Sequence, residues 1–312
     1  MKIGLLEFGT GCVSPMDIVE NVLDYAQRAD ELGYTRFWLG EHYGASSAYS
    51  NPEMLLPIIA GLTSHIRVGV AGLLMAFHNP YRVASAFKVL NNLFPNRIDL
   101  GVAGGSVPPD IKPHLVPDLD FSDSSVKVNL FTRNCAALYQ YLHAPENAHQ
   151  IVPFGGFVPT YWSLSAGLKN ISALVDQPGS LCKSCFHTEI TDHRREAEKL
   201  HEYRTVFYEK HGKRPEINLA IAGVCAETTR QARRIRRELE QPVGVYQELI
   251  GSPTYLLDQV ALLEEIYEVE EFIFLNMAEK TSHKLKSLEL LADTLPQYAG
   301  SASQPEAFVQ TL

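Results

Sequence analysis

The sequence predicts a closed (β/α)8 barrel, a TIM barrel with insertion loops at its carboxyl-terminal face, and three observations predict it. Short apolar runs alternate with helix-periodic segments almost from end to end, the pattern of parallel strands joined by crossover helices. Eight such units are present, more than open doubly wound sheets usually sustain, and no GxGxxG follows the first strand. The runs between Arg36 and Val107 end in polar or glycine residues. RFWLGEHY ends in Glu41-His42-Tyr43, IRVGVAGLLMAFHNP carries His78 and Asn79, and NRIDLGVAGG closes on Gly104 and Gly105. The carboxyl ends of barrel strands are where chemistry collects.

Lys2–Phe8 reads as a buried strand. Ser14 then caps a helix with Pro15 at its first position; Met16, Val19, Leu23 and Ala26 recur at helical spacing, and Gly33 stops it. Arg36–Gly40 is the second strand, followed by a helix over about 52–63. Arg67–Leu74 is the third, followed by a helix from Pro80 to Phe94 with Val83, Phe87, Leu90 and Phe94 on one stripe. Ile98, Leu100 and Val102 belong to the fourth.

The second half is less regular. Residues 104–122 read as a long loop, of the length that is usually functional in a compact domain. A helix over Ser122–Leu142 and an irregular loop over 146–159 follow. Tyr161–Leu164, Leu181–Cys185, Ile217–Val224 and Glu271–Leu275 supply strands five to eight. Helices are expected over Gly167–Val175, Asp192–His211, Thr228–Glu240, Thr254–Tyr267 and Ser282–Leu295. The chain reads as one domain over 1–312, with a loosely ordered tail over 296–312.

Composition narrows the function. The formal charge is −9, from 27 Lys and Arg against 36 Asp and Glu. That disfavours nucleic acid and anionic membranes as partners, because both reward clustered basic residues. Arg230, Arg233, Arg234, Arg236 and Arg237 form the one basic run, which reads as a solvated helix face. No signal peptide fits the amino terminus, and the longest apolar run, Val68–Phe77, is too short to cross a bilayer. Five scattered cysteines imply no disulfide framework, so a reducing cytoplasm is the expected compartment. Cys182-Lys-Ser-Cys185 is a lone CxxC without the second pair that zinc needs. An amidohydrolase-like metal site needs HxH after the first strand, where Glu7-Phe8-Gly9 stands instead, so no metal is expected.

The chain resembles the bacterial luciferase-like flavin monooxygenases. The resemblance is carried by ADELGYTRFWLGEHY (29–43), NPEMLLPIIAGLTSHIRVGVAGLLM (51–75), HNPYRVASAFKVLNNLFPNRIDLGVAGG (78–105), GSPTYLLDQVALLEEIYEVEEFIFL (251–275) and SLELLAD (287–293). It implies a TIM barrel, often dimeric, that uses reduced FMN or a deazaflavin. It implies that Glu41-His42 occupies the family's Glu-His position, with His42 beside the flavin as acid/base and Glu41 orienting its surroundings. It places Ala71-Gly72 where the family often has a non-proline cis peptide behind the isoalloxazine, and Gly72 suits such a backbone. Gly104 and the turn Ser165-Ala166-Gly167-Leu168-Lys169-Asn170 would receive the rest of the cofactor, with Lys169 supplying charge to the phosphate. The turn lacks the family's Gly-Ser-Ser, and the stretch after the fourth strand lacks its phosphate-binding Arg.

Other residues have two readings. Asn79 suits a helix cap more than a ligand, while His78 is a pocket candidate because loops at this face are enriched in function. Glu7 needs a partner if buried and is either substrate-lining or structural. Cys185 and His187 would line the flavin pocket at their strand end. Phe37, Trp38, Phe87 and Phe94 read as core. The implied reaction is monooxygenation: reduced FMN from a separate reductase meets O2, forming a flavin peroxide that oxygenates an organic substrate. The alternatives are an FMN- or deazaflavin-dependent dehydrogenase or reductase on the same barrel, and a non-catalytic flavin-binding partner subunit. Apolar residues on the helices after strands two and three make a homodimer plausible.

Overall fold

The apolar runs become the staves of a barrel. In the computed structural model β1 spans Lys2–Glu7, β2 Arg36–Leu39, β3 Arg67–Leu74, β4 Ile98–Ala103, β5 Thr160–Ser165, β6 Ser180–Ser184, β7 Ile217–Cys225, β8 Glu248–Gly251 and β9 Glu271–Asn276. The helices are α1 (Pro15–Glu31), α2 (Leu56–Leu62), α3 (Pro80–Leu93), α4 (Lys112–Leu115), α5 (Ser124–Leu142), α6 (Ile171–Val175), α7 (His193–His211), α8 (Thr229–Arg237), α9 (Pro253–Tyr267) and α10 (Thr281–Thr294). The structure describes residues 1–298 except 12, 45, 118–122, 145–150, 152–155, 169, 187–189 and 240–246. Lys169, His187 and most of the expected tail therefore lie outside the described residues.

β1 to β7 are parallel neighbours in chain order, and β9 sits between β7 and β1 to close the ring. Eight strands thus make the barrel. The ninth, β8, pairs with the carboxyl end of β7 alone, from Ala222 opposite Glu248 to Cys225 opposite Gly251. Four residues are too few for periodicity to reveal, and the sequence reading missed it. Its Glu248 also corrects the reading of the basic run. Arg236 is buried and donates from Nη2 to Glu248 Oε1 at 2.7 Å, so at least this member of the run is structural. The 104–122 segment, expected as loop, contains the single turn α4.

Local signals act as expected. Ser14 Oγ accepts from Asp17 N at 3.2 Å at the start of α1, and Gly33 beyond its end sits at φ +80°. Asn79 Oδ1 accepts from Tyr81 N and Arg82 N, capping α3.

Strand alternation divides the apolar residues into two layers. Leu6, Trp38, Ala71, Trp162, Cys182, Ala220 and Ile273 meet inside the barrel. A larger cluster, including Leu5, Phe37, Val70, Leu100, Tyr161 and Phe272, packs outward beneath the helices.

The amino-terminal end of the barrel is filled by charge. Arg36 donates to Asp99 at 2.8 Å, to both oxygens of Glu271 at 2.9 Å, and to Glu216 at 2.6 Å. Arg67 binds the other oxygen of Asp99 at 2.6 Å, and Trp38 Nε1 donates to Asp99 at 2.9 Å. The Arg36 guanidinium also lies 4.7 Å from the Trp162 ring centroid. Gly69 makes room for this knot, since a Cβ there would come within 2.4 Å of the Asp99 carbonyl oxygen. Asp99 is fully buried, and removing one member of a buried charge set strands the others. Asp99→Ala is expected to cost about 3–5 kcal/mol in urea unfolding; a loss below about 1 kcal/mol would refute the role given to the knot.

Candidate active site

A cavity of about 940 Å³ opens at the carboxyl ends of the strands. Its floor is Leu6, Trp38, Ala220 and Ile273, and its rim includes Phe8, Ala71, Ala103, Gly104, Gly105 and Ser165. The Trp38 and Trp162 rings meet edge-on at 5.2 Å above Arg36, so the charged end and the apolar floor are stacked in one barrel. Asp176 is the only charged residue among the described lining residues.

The structure distributes the sequence candidates unevenly. Ala71, Gly104, Ser165, Ala166, Gly167 and Asn170 line the cavity. The Ala71–Gly72 peptide is cis. Gly72 itself turns toward β4: a Cβ there would meet the Gly101 backbone at 3.0 Å, and it is not part of the lining. Asn170 is committed locally, because its Oδ1 accepts from Ala173 N as the cap of α6. Ser165 Oγ donates to Gly167 O at 2.7 Å, fixing the turn between them.

Glu41 is buried and acts as a clamp. Its Oε2 accepts from Leu74 N at 2.8 Å and lies 2.7 Å from His78 Nε2, while its Oε1 accepts from the Tyr43 hydroxyl at 2.8 Å. It therefore ties the end of β2 to the end of β3 and to the segment entering α3. Asn134 of α5 donates to Met75 O and His78 O, pinning the same segment from the other side. His78 thus belongs to a clamp and not to the cavity wall, unlike the pocket role expected of it. Burial by itself would lower the His78 pKa, but the hydrogen bond and charge of Glu41, with the charge of Glu53, raise it above its ordinary value. Burial and Glu41 push the Tyr43 phenol up as well.

His42 is exposed at the mouth. Its ring centroid is 5.7 Å from that of Phe8, which does line the cavity, and its Nδ1 is 3.5 Å from Ser47 Oγ. Glu7 points away from the barrel interior, as alternation with the inward Leu6 requires. It accepts from Gly9 N at 2.9 Å, pairs with Lys284, and borders a separate cavity of about 400 Å³ against α1 and α10. Cys185 is likewise on the outer side, because Cys182 and Ser184 take the inward positions of β6. It faces a small cleft with Ile221 and Leu263, and burial pushes its thiol up to about 11.

Sequence reasoning missed two groups of cavity residues. Ser184 is buried and lines the cavity, and its hydroxyl has no hydrogen-bond partner among the described residues. A buried hydroxyl without a partner is costly, so this one suits a polar edge of a bound molecule. The inner face of α5 supplies Val128, Phe131, Thr132, Cys135, Ala136, Tyr139 and Gln140. Their helical spacing was legible; that this face meets a cavity was not. No group of three or more metal-ligating side chains occurs among the described residues, and no described helix is long and apolar enough to cross a membrane.

This barrel, with its strand-end cavity, has the architecture of a class of TIM-barrel proteins. Residues 6–123 match the model of the luciferase-like monooxygenase family, and over that stretch the chain is similar to its members. A luciferase-like monooxygenase of Escherichia coli strain K12 is 25% identical over 296 residues, covering 88% of this chain and 83% of its own. Three solved structures share the fold. Apo-MsnO8 superposes with a TM-score of 0.80 at 24% identity, covering 95% of this chain and 98% of its own. The oxygenating constituent of 3,6-diketocamphane monooxygenase from Pseudomonas putida, in complex with FMN, gives 0.70 at 16%, covering 94% and 97%. An F420-dependent secondary alcohol dehydrogenase with an F420–acetone adduct gives 0.67 at 14%, covering 93% and 97%.

The clamp makes a measurable prediction. A group whose folded pKa is raised stabilises the fold at low pH and loses that contribution as pH rises through the folded value. Glu41→Gln should lower the His78 pKa measured by NMR titration and cost about 1.5–3 kcal/mol in acid. The stability gap should narrow as pH climbs past the wild-type His78 pKa. An unchanged His78 titration would show that the pair does not couple.

Proposed function

We propose that the protein is a flavin-dependent monooxygenase that uses reduced FMN and O2 to oxygenate an uncharged organic substrate. The observation that carries this reading is the apolar cavity at the strand ends with an unpartnered Ser184 hydroxyl in its wall. It suits a planar, largely apolar ring system with a polar edge, and its volume falls within the usual range for small-molecule sites. Ala71, Gly104 and Ser184 would hold the ring, and the Ser165–Gly167 turn would take the phosphate end, with Lys169 as the charge partner. When bound, reduced FMN supplies the electrons that activate O2.

The chain's own task is positioning and exclusion of water. The aromatic and aliphatic walls keep the cavity dry, and Glu41 holds β3 so that Ala71 stays at the rim. His42 is the proton carrier at the mouth, where its exposed imidazole can exchange a proton with solvent. The buried free thiols Cys135, Cys182, Cys185 and Cys225 suit a reducing cytoplasm, and reduced FMN would come from a separate reductase.

The same reading includes a homodimer. Met54, Ile58 and Leu62 recur every four residues along and just before α2 and are exposed, as are Val89 and Leu93 on α3. Such a stripe on a soluble chain suits a second copy of itself.

Oxidised FMN at about 100 times its Kd should add about 2.7 kcal/mol and raise Tm by about 5 °C. His42→Ala should keep FMN affinity within a few fold while turnover falls about 100-fold or more. Absence of any flavin-dependent shift in Tm would sink the reading. Light scattering should give about twice the 34.8 kDa chain mass, and Ile58→Glu with Leu62→Glu should give monomers.

A further inference from the structure

The cavity of about 400 Å³ behind the barrel wall has a chemistry of its own. It lies between α1 and α10, beside the carboxyl end of β1, and shares no lining residue with the strand-end cavity. Glu7 and Lys284 meet in it as an ion pair, with side chains 4% and 13% exposed. The Lys284 ammonium lies 5.9 Å from the ring centroid of Tyr25, another lining residue. Thr10, Asn21 and Thr281 add polar edges, and Ile18 and Val22 of α1 give an apolar side.

Two donors here are left open by the fold. Tyr25 is 2% exposed, and its hydroxyl proton has no acceptor among the described residues. The Asn276 amide faces the phenol oxygen, and burial with the Glu7 charge pushes the phenol well above its ordinary value, so it stays a neutral donor. A buried donor without an acceptor is costly, and a ligand oxygen in the cavity would relieve it. Nearby, α10 starts at Lys280 without a side-chain cap. The first N–H groups of a helix have no partner within it, and its dipole favours negative charge there. Both signs of charge line this one small space, Glu7 and Glu279 against Lys280 and Lys284. An anion alone would meet two carboxylates. A cation alone would meet two ammonium groups and the positive end of α10.

We propose that this cavity binds a small zwitterion, an α-amino acid with an aliphatic side chain. The start of α10, Lys284 and the Tyr25 hydroxyl hold its carboxylate, Glu7 and Glu279 hold its ammonium group, and Ile18 and Val22 pack against its side chain. Each charge of such a molecule meets its opposite, and the volume lies within the usual range for small-molecule sites. The site goes beyond the monooxygenase reading and stands whether or not flavin fills the barrel mouth.

The test is calorimetry on the full chain, with L-leucine as probe and with isocaproate and isoamylamine as analogues that each lack one of its charges. Leucine should bind, and each analogue should bind about tenfold more weakly or worse, since each leaves charged partners unmatched. Tyr25→Phe keeps the ring and removes the donor, and should weaken leucine several-fold. Asn21 is half-buried on the α1 side of the cavity, so Asn21→Phe should fill the space and abolish leucine binding, while any FMN-dependent rise in Tm stays as in the wild type. If Asn21→Phe fails to fold, Val13→Trp at the exposed rim replaces it. No binding of leucine, an analogue that binds as tightly as leucine, or wild-type affinity in the filled variant overturns the proposal. Displacement of leucine by FMN would put it in the strand-end cavity and overturns it equally.

Discussion

The whole molecule hangs on one guanidinium. Arg36 enters the amino-terminal end of the barrel from β2 and binds carboxylates from β4 and β9 and one that precedes β7, with the Trp162 ring of β5 beside it. Burying such charges is expensive, and a well-packed apolar plug would often be as stable. What the knot adds is specificity of arrangement. Each carboxylate accepts in a fixed direction, so strands far apart in sequence are held in one register. Closure at that end leaves the opposite end free to be wide and apolar.

That division explains why the mouth carries so few charges. The Glu41 clamp does at the top a smaller version of what Arg36 does below: it ties the ends of β2 and β3 and holds the segment leading to α3. A carboxylate that accepts from a backbone N–H, a phenol and an imidazole has little capacity left for a ligand. Its place in the chemistry is therefore to position the rim. His42, its sequence neighbour, points the other way and is exposed. Adjacent residues at a strand end can thus serve opposite purposes, because successive side chains leave on opposite faces.

Much of the fold could be read directly. Ser14, Asn79 and Gly33 mark helix ends through local hydrogen bonds and a backbone conformation that neighbours alone decide. The strands from Lys2 to Ala103 announce themselves as apolar runs, and the cis peptide at Ala71–Gly72 followed from the family resemblance. What escaped was local structure too short to carry a period: β8, α4, and with β8 the pairing of Glu248 to Arg236. A basic helix face reads as solvated until a strand from elsewhere brings an acid to it.

By itself the sequence determined the alternation of elements, the caps, the barrel class and the cluster of polar residues at the strand ends, because these depend on neighbours within a few positions along the chain. Only the tertiary structure decided which of those residues meet. Glu7 and Cys185 went to the outer face, His78 went to a clamp, and Ser184 and the inner stripe of α5 came to the cavity. The reason is geometric: the direction of a side chain follows from strand parity, but what lies in that direction depends on how distant strands close the ring.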